Sequence, residues 1–395
     1  MPRRWQDRDM RILCSGYFVR HPLGGRSWAH LQYLVGLQRL GHEVFFLEEY
    51  GWPGSCFNPV RDSMTDNPSY GLGFLDSLLR PFGLEESWCY VAADGTWHGM
   101  GRERLLEVCR SCDLYLSISN INWIPELEAC RRRVLLDTDP VFTQVGAQGR
   151  GPPFTWYDAR FTYGENVHRP GCVMPTAGVA WLPTRQPVVL DLWPVFEGPP
   201  AGRFTTVMNW APIEEDRRVA PEYGQKDRSF EPFTSFPRRS GAPMEVAVRP
   251  PREVRARLFE GGWLLVDPVE VTLTPEGYQR YLRDSSAEFS VAKHGYVVTG
   301  CGWFSERSTS YLASGRPVVV QDTGFSRWLP TGTGVLAFRG VEDALASVAE
   351  VRRRYRAHCR AARELVAAHF ESGTVLGALL ERAFARVGPA PESGA

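Results

Sequence analysis

Residues 287–324 constrain the fold of this chain more than any other stretch. They read AEFSVAKHGYVVTGCGWFSERSTSYLASGRPVVVQDTG. Two short apolar runs, residues 288–292 and 317–320, have the length and β-branched content of buried parallel strands. Between them lie a glycine-containing turn, Gly300-Cys301-Gly302-Trp303, and a helix-sized stretch over residues 306–314. Ser305 stands where an N-cap belongs and Gly315 where a helix-ending glycine belongs. A glycine turn feeding a helix N-terminus at the edge of a parallel sheet is a place to bind phosphate. Free backbone N–H groups and the helix dipole converge there.

The chain has 395 residues, too many for most single cores, so two domains are expected. Lys and Arg number 45 and Asp and Glu 45. That balance gives no electrostatic footprint for nucleic acid or for an anionic membrane surface, so no nucleic-acid partner is expected. No run is long and apolar enough to span a bilayer, and the basic N-terminus is followed by too short an apolar run for a signal peptide. A cytoplasmic protein without a transmembrane segment is expected. The nine cysteines include one CxxC, Cys109 and Cys112, and otherwise lack metal-ligand spacing. No metal and no cofactor are expected. Of the 45 basic residues only two are lysine, Lys226 and Lys293. Lys293 directly follows an apolar strand, whereas Lys226 lies in the polar stretch Tyr223-Gly224-Gln225-Lys226-Asp227 and reads as a surface residue.

The rest of the chain repeats a strand–helix–strand logic. A first strand at residues 11–15 leads through a loop ending in Leu23-Gly24-Gly25 into a helix with apolar residues at Trp28, Leu31, Leu34, Val35 and Leu37. Gly41 ends that helix, and residues 42–47 form the next strand. The unit predicts a parallel sheet. Its turn lacks GxGxxG spacing, so a dinucleotide fingerprint is absent. Further strands are expected at 114–117, 134–136 and 160–163, and in a second domain at 204–208, 244–248 and 263–266. Asp137 and Asp139 follow a strand, on the edge where such sheets bind ligands. The proline- and tryptophan-rich residues 175–200 read as the interdomain connection. The expected division is residues 1–195, residues 196–370, and a C-terminal helix with a disordered tail over 371–395.

Two doubly wound halves, a glycine loop after the first strand and a late glycine–helix element before Gly315-Arg316-Pro317-Val318-Val319 resemble the GT-B fold of nucleotide-sugar-dependent glycosyltransferases, and within it a bacterial glycosyltransferase-like branch. The fold class expected is α/β, with two Rossmann-like doubly wound domains facing across a cleft. The resemblance implies a hexosyltransferase that moves a sugar from a nucleotide-sugar donor to the hydroxyl of a small-molecule or glycan acceptor, independently of metal. It also implies donor binding on the second domain and acceptor binding on the first. A nucleotide-sugar epimerase and a non-catalytic protein of the same fold stand as alternatives.

The same resemblance implies a set of site residues. Ser305, Ser308 and Thr309 at the helix start would donate to the diphosphate or cap the helix, Arg307 would pair with phosphate or stand exposed on the helix, and Glu306 would hold the ribose or complement the helix dipole. Ser310 stands where the retaining branch carries a glutamate, and Gly302 where its partner would be, so inversion and retention both stay open. Lys293 would stabilise the leaving diphosphate. Gly24 and Gly25 would let backbone approach the donor, or simply form a tight turn. Asp322, Thr323 and Gly324 would meet donor sugar or base, or form a capped turn. His21 and Asp139 are the candidate bases for the acceptor hydroxyl. The aromatic residues of 181–196 would wall the acceptor site or pack between domains.

Overall fold

A computed structural model describes residues 9–146, 151–195, 202–210 and 221–385. The strands in chain order are β1 Arg11–Ser15, β2 Glu43–Glu49, β3 Cys56–Asn58, β4 Ser63–Thr65, β5 Trp88–Val91, β6 Trp97–Gly99, β7 Leu114–Ile118, β8 Arg133–Asp137, β9 Ala159–Thr162, β10 Leu182–Pro183, β11 Phe204–Val207, β12 Met244–Ala247, β13 Leu264–Val266, β14 Ala287–Ser290, β15 Val318–Gln321 and β16 Val335–Phe338. The first sheet has the order β10-β9-β8-β7-β1-β2-β5-β6, and the second β13-β12-β11-β14-β15-β16. Apart from the antiparallel edge pair of β5 and β6, every pairing in these two sheets is parallel. β7 and β14 are buried at every position, as strands covered on both faces are.

Strand order reverses once in each sheet. In the first sheet β1 lies between β2 and β7; in the second β11 lies between β12 and β14. Ligands of open α/β sheets bind outside the carboxyl ends of strands at such points. The two reversals therefore fix where a site can form.

Local signals account for the elements that flank these points. Ser305 caps the helix Glu306–Ala313 by accepting the Arg307 N–H, as its position before an apolar run predicts. Thr274 caps the helix Pro275–Asp284, which carries proline at its first position. Helix His294–Thr299, between β14 and the glycine turn, has no counterpart in the sequence reading. It is too short for a periodic signal.

The halves share one apolar core. Trp28, Leu31 and Leu34 of helix Gly24–Arg39 belong to the same cluster as Tyr278, Phe304, Tyr311, Phe370 and Leu376. Trp28 packs at 5.0 Å, tilted by 52°, against the fully buried Trp193 and donates its indole N–H to the Pro275 carbonyl at 3.0 Å. An aromatic pair of this kind contributes about 0.5–1.5 kcal/mol beyond its area. Trp181 and Trp193 are both sealed inside, so the described part of the aromatic stretch packs as a connection rather than as an open wall; Phe196 lies outside the described residues. Helix Ser372–Phe384 returns to the first half, where Arg132 holds the Ala383 carbonyl and Arg382 the Pro183 carbonyl. The tail expected to be disordered lies outside the described residues.

Candidate functional site

Between the carboxyl edges of the two sheets lies a cavity of about 990 Å³, at the upper end of the range usual for ligand pockets. The first half contributes residues just past β1, β7, β8 and β9: Tyr17, Ser119, Asn120, Asp139 and Tyr163. The second half contributes Met208 and Asn209 past β11, Lys293 past β14, and Ser305 and Glu306 at a helix start. Both reversals of strand order thus open into the same space.

The loops that line it are held from beneath. The buried Glu48 carboxylate accepts the N–H groups of Phe18, Val19 and Arg20 at 2.6, 2.8 and 2.9 Å, fixing the loop after β1. Asp137, fully buried, accepts from Gln144, Thr162 and the Asp139 N–H, fixing the loop after β8. Burial raises its pKa. Asp137 therefore supports the wall. Ser119, Asn120 and Val141 all have positive φ, at 69°, 53° and 73°. For a β-branched residue such as Val141 this is a true outlier. Such strain concentrates at functional sites.

Five charged side chains of the wall decide its chemistry. Lys226, at the start of helix Lys226–Phe230, lines the cavity and has no hydrogen-bond or ion-pair partner among the described residues. Burial lowers its pKa from 10.5 to about 7, and the nearby Arg307 and Lys293 push the same way while Glu288 and Glu306 oppose. Arg26, on the first half, faces it without a carboxylate partner among the described residues and rests over the Tyr17 ring at 5.0 Å. Glu306 lies within reach of both electrostatically. Lys293, by contrast, is paired: its Nζ lies 2.9 and 2.6 Å from the two carboxylate oxygens of Asp139 and 4.3 Å from the Phe142 ring centroid. The Tyr296 hydroxyl also donates to Asp139 Oδ1. Burial, followed by the Asp139 charge, raises the Tyr296 pKa, so it stays protonated as a donor.

The residues singled out in the sequence fall into two groups. Gly25, Asp139, Lys293, Ser305, Glu306 and Arg307 line the cavity. Arg307, however, spends its guanidinium inside the second half, on Glu288 at 2.7 Å, the Val207 carbonyl at 2.7 Å and Ser290 at 2.6 Å. Ser308 and Thr309 are buried and do not line the cavity, and the Thr309 hydroxyl donates to the Glu306 carbonyl. Asp322, Thr323 and Gly324 lie outside the wall. Asp322 caps its own turn through Gly324 N and Ser326 N, and the Thr323 hydroxyl holds the Trp303 carbonyl. Gly24 is buried against the other half: a Cβ there would lie 2.8 Å from the Thr274 carbonyl carbon and 2.9 Å from Tyr278 Cβ. Its missing side chain serves the approach of two helices.

His21 is not in the cavity wall; it sits edge-on to Tyr17, and burial, aided by Arg20, lowers its pKa to about 4. His30 is in the wall, but its Nε2 is sealed against Gly16 and burial lowers its pKa to about 4 as well. The sequence reading took Lys226 for a surface residue and passed over Arg26, Tyr296 and Asn166. Asn166 ties the first half to the glycine turn by donating to Gly300 O at 3.0 Å and Gly324 O at 2.8 Å. Gly302, at φ 81°, has no room for a side chain there, since a Cβ would come within 2.6 Å of the Asn166 side chain. The scarcity of lysine was the one signal available for Lys226. No group of three or more His, Cys, Asp or Glu able to hold a metal occurs among the described residues. No helix among them is long and apolar enough to cross a membrane.

No family model and no curated protein matches the chain. Solved structures do. An α-glucosyltransferase in complex with UDP and a 13-mer DNA aligns with a TM-score of 0.61 at 11% identity, over 95% of this chain and 100% of that one. HepE of Anabaena, in complex with UDP and glucose, aligns at 0.53 and 10% identity, over 94% and 99%. AviGT4, a glycosyltransferase of avilamycin A biosynthesis, aligns at 0.51 and 15% identity, over 95% and 97%. The first of these corrects the exclusion of nucleic acid. A protein of the same fold, matched along its whole length, was captured on DNA, so a formal net charge of zero does not rule out such a partner. The chain has the GT-B fold, two Rossmann-like halves closed on one cavity.

Proposed function

We propose that the chain is a glycosyltransferase of hexosyltransferase type, which moves a sugar from a nucleoside-diphosphate donor to an acceptor hydroxyl in the interdomain cavity. The observation that carries this reading is the pair of uncommitted cations, Lys226 and Arg26, on opposite walls at the two strand-order reversals. A donor diphosphate brings two or more negative charges, and charge-assisted hydrogen bonds to it are the strong ones. Lys226 and Arg26 would neutralise the diphosphate, together with the Ser305-capped helix start. Glu306, beside them and with its carboxylate free of any hydrogen-bond partner among the described residues, would take ribose hydroxyls. Lys293 and Asp139 would serve the reacting end: Lys293 on the leaving oxygen and Asp139 on the acceptor's proton.

The ligands of the fold's solved members support uridine diphosphate as the first probe, since two of the three structures above contain UDP. The test is calorimetry with UDP, GDP, ADP and TDP, followed by donor-hydrolysis and transfer assays with the matching nucleotide sugars. The acceptor panel includes small alcohols, glycans and DNA. One nucleoside diphosphate binding at micromolar affinity and its sugar being transferred is the expected result. No binding by any of the four would remove the reading. Conversion of a donor to a new nucleotide sugar without acceptor would replace transfer by epimerisation.

A further inference from the structure

Asp139 and Lys293 come from opposite halves and are each other's charge partner, within 2.6 Å. Asp139 keeps 37% of its side-chain surface open, Lys293 only 14%. The carboxylate thus faces the cavity while the ammonium sits between it and the Phe142 and Tyr296 rings. Tyr296, on helix His294–Thr299, grips the same carboxylate independently of the lysine, and its ring is braced against Trp303 at 4.5 Å. Trp303 in turn donates to the Thr138 carbonyl, the residue before Asp139, at 3.3 Å. Asp139 therefore has one charged partner and one neutral one, and the neutral one is built into the wall.

We propose that the Lys293–Asp139 ion pair is a clasp that the donor opens by exchange. The arriving diphosphate takes Lys293 from Asp139, and Asp139, still held by Tyr296, becomes the base for the acceptor. This rests on the diphosphate reading above. The exchange keeps the ammonium paired at every stage and so avoids a buried unpaired cation, while the released carboxylate, 37% open, keeps solvent and the Tyr296 hydroxyl as donors. While Lys293 is bound to it, both Asp139 oxygens are occupied. Once released, it takes the proton of the acceptor O–H. The acceptor oxygen forms its bond to the anomeric carbon, the bond from that carbon to the diphosphate oxygen breaks, and the electron pair leaves with the diphosphate, facing Lys293 and Lys226. Donor-first binding follows. Tyr296 is a positioning residue.

A chain with two lysines allows Lys293 to be watched directly. Protein labelled with ¹³C and ¹⁵N on lysine gives two sets of side-chain resonances, and the K293R variant, lacking one, assigns them. The probe is UDP, or whichever of the four nucleoside diphosphates binds tightest, with calorimetry on the same sample. Saturation is expected to shift the Lys293 resonances away from their free position. D139N, which removes the competing carboxylate, is expected to bind the probe several-fold more tightly while losing nearly all transfer. Y296F is expected to keep probe affinity and lose turnover in kcat rather than KM. Unmoved Lys293 resonances at saturation, or equal or weaker binding by a folded D139N, would overturn the exchange and leave the diphosphate site standing. The resonance shift needs no substitution beyond assignment, so it decides the matter even if D139N fails to fold. Failure of all four probes to bind removes the site and the exchange together.

Discussion

The two lysines of this chain line one cavity and live under opposite electrostatic regimes. Lys293 follows a strand of the second sheet and is matched: a bidentate carboxylate, an aromatic face and a tyrosine-braced partner surround it. Lys226 begins a five-residue helix and is unmatched, with Arg307 and Lys293 as its charged neighbours on one side and Glu288 and Glu306 on the other. A matched ammonium holds two halves together. An unmatched one, half-buried beside other cations, is destabilising until an anion arrives. The difference separates a residue that shapes the free protein from one whose charge is satisfied by the ligand, and each can be removed to see which it is.

The largest effect is expected at Lys226. Lys226→Ala should weaken nucleoside-diphosphate binding by about 100-fold, the size of a charge-assisted contact to phosphate, in calorimetry at pH 6.5. Affinity within experimental error of wild type would reverse the comparison and make Lys293 the main phosphate contact.

The next effect is the pH dependence of the same contact. The free protein holds the Lys226 pKa at about 7, and the anion binds its charged form. Affinity should therefore be steady below that pH and fall by up to about tenfold per unit above it. Lys226→Arg, charged throughout, should flatten the profile. Stability carries the opposite sign. An unfolded Lys226 titrates at its ordinary 10.5, so between about 7 and 10.5 the unfolded chain binds more protons, and this residue's contribution makes the free protein more stable as pH rises. Denaturant titrations of wild type and Lys226→Met at pH 7 and 9 should show this difference, and nucleoside diphosphate should erase it.

The comparison also marks what a sequence can disclose. The unit at 287–324 was legible because its signals are local: the β-branched run of β15, a serine cap and a closing glycine, Gly315, at φ 72°. Strands β1, β7, β8 and β12 were read within one or two residues for the same reason. The hairpin of β3 and β4 and the edge strand β6, three residues each, carried too little pattern to be seen. Partnership was illegible. Lys226 reads as a surface lysine because its cavity is completed by residues as distant in the chain as Tyr17, Asp139 and Glu306. Gly24 resembles a phosphate turn, yet the backbone it accommodates belongs to Thr274. Nothing near Lys293 in the chain announces Asp139, 154 positions earlier.

Arg26 tests whether the first half takes part in holding the donor. It is exposed within the cleft, so screening weakens its contact and Arg26→Ala should cost about tenfold in nucleoside-diphosphate affinity. The loss should be additive with that of Lys226→Ala to the extent that the two cations meet different phosphate oxygens. A double variant no worse than Lys226→Ala alone would mean that the first half contacts only the acceptor, and the cavity would then divide at its midline.

The smallest effect on binding is expected where the sequence placed a donor contact and the structure places a turn. Both Asp322 oxygens are in use: one accepts from Gly324 N at 2.9 Å and Ser326 N at 3.3 Å, the other from the Ser326 hydroxyl at 2.8 Å. Gly324 in turn passes its carbonyl to Asn166, the residue that pins the first half to the glycine turn. Asp322→Asn loses the charge of that cap and should cost about 1–2 kcal/mol in denaturant unfolding. Nucleoside-diphosphate affinity should stay within about twofold of wild type, because the cap lies outside the wall and shares no partner with Lys226. A loss of affinity without a loss of stability would return Asp322 to the donor site. Loss of both in proportion would show instead that the turn, through Asn166, sets the distance between the two cations.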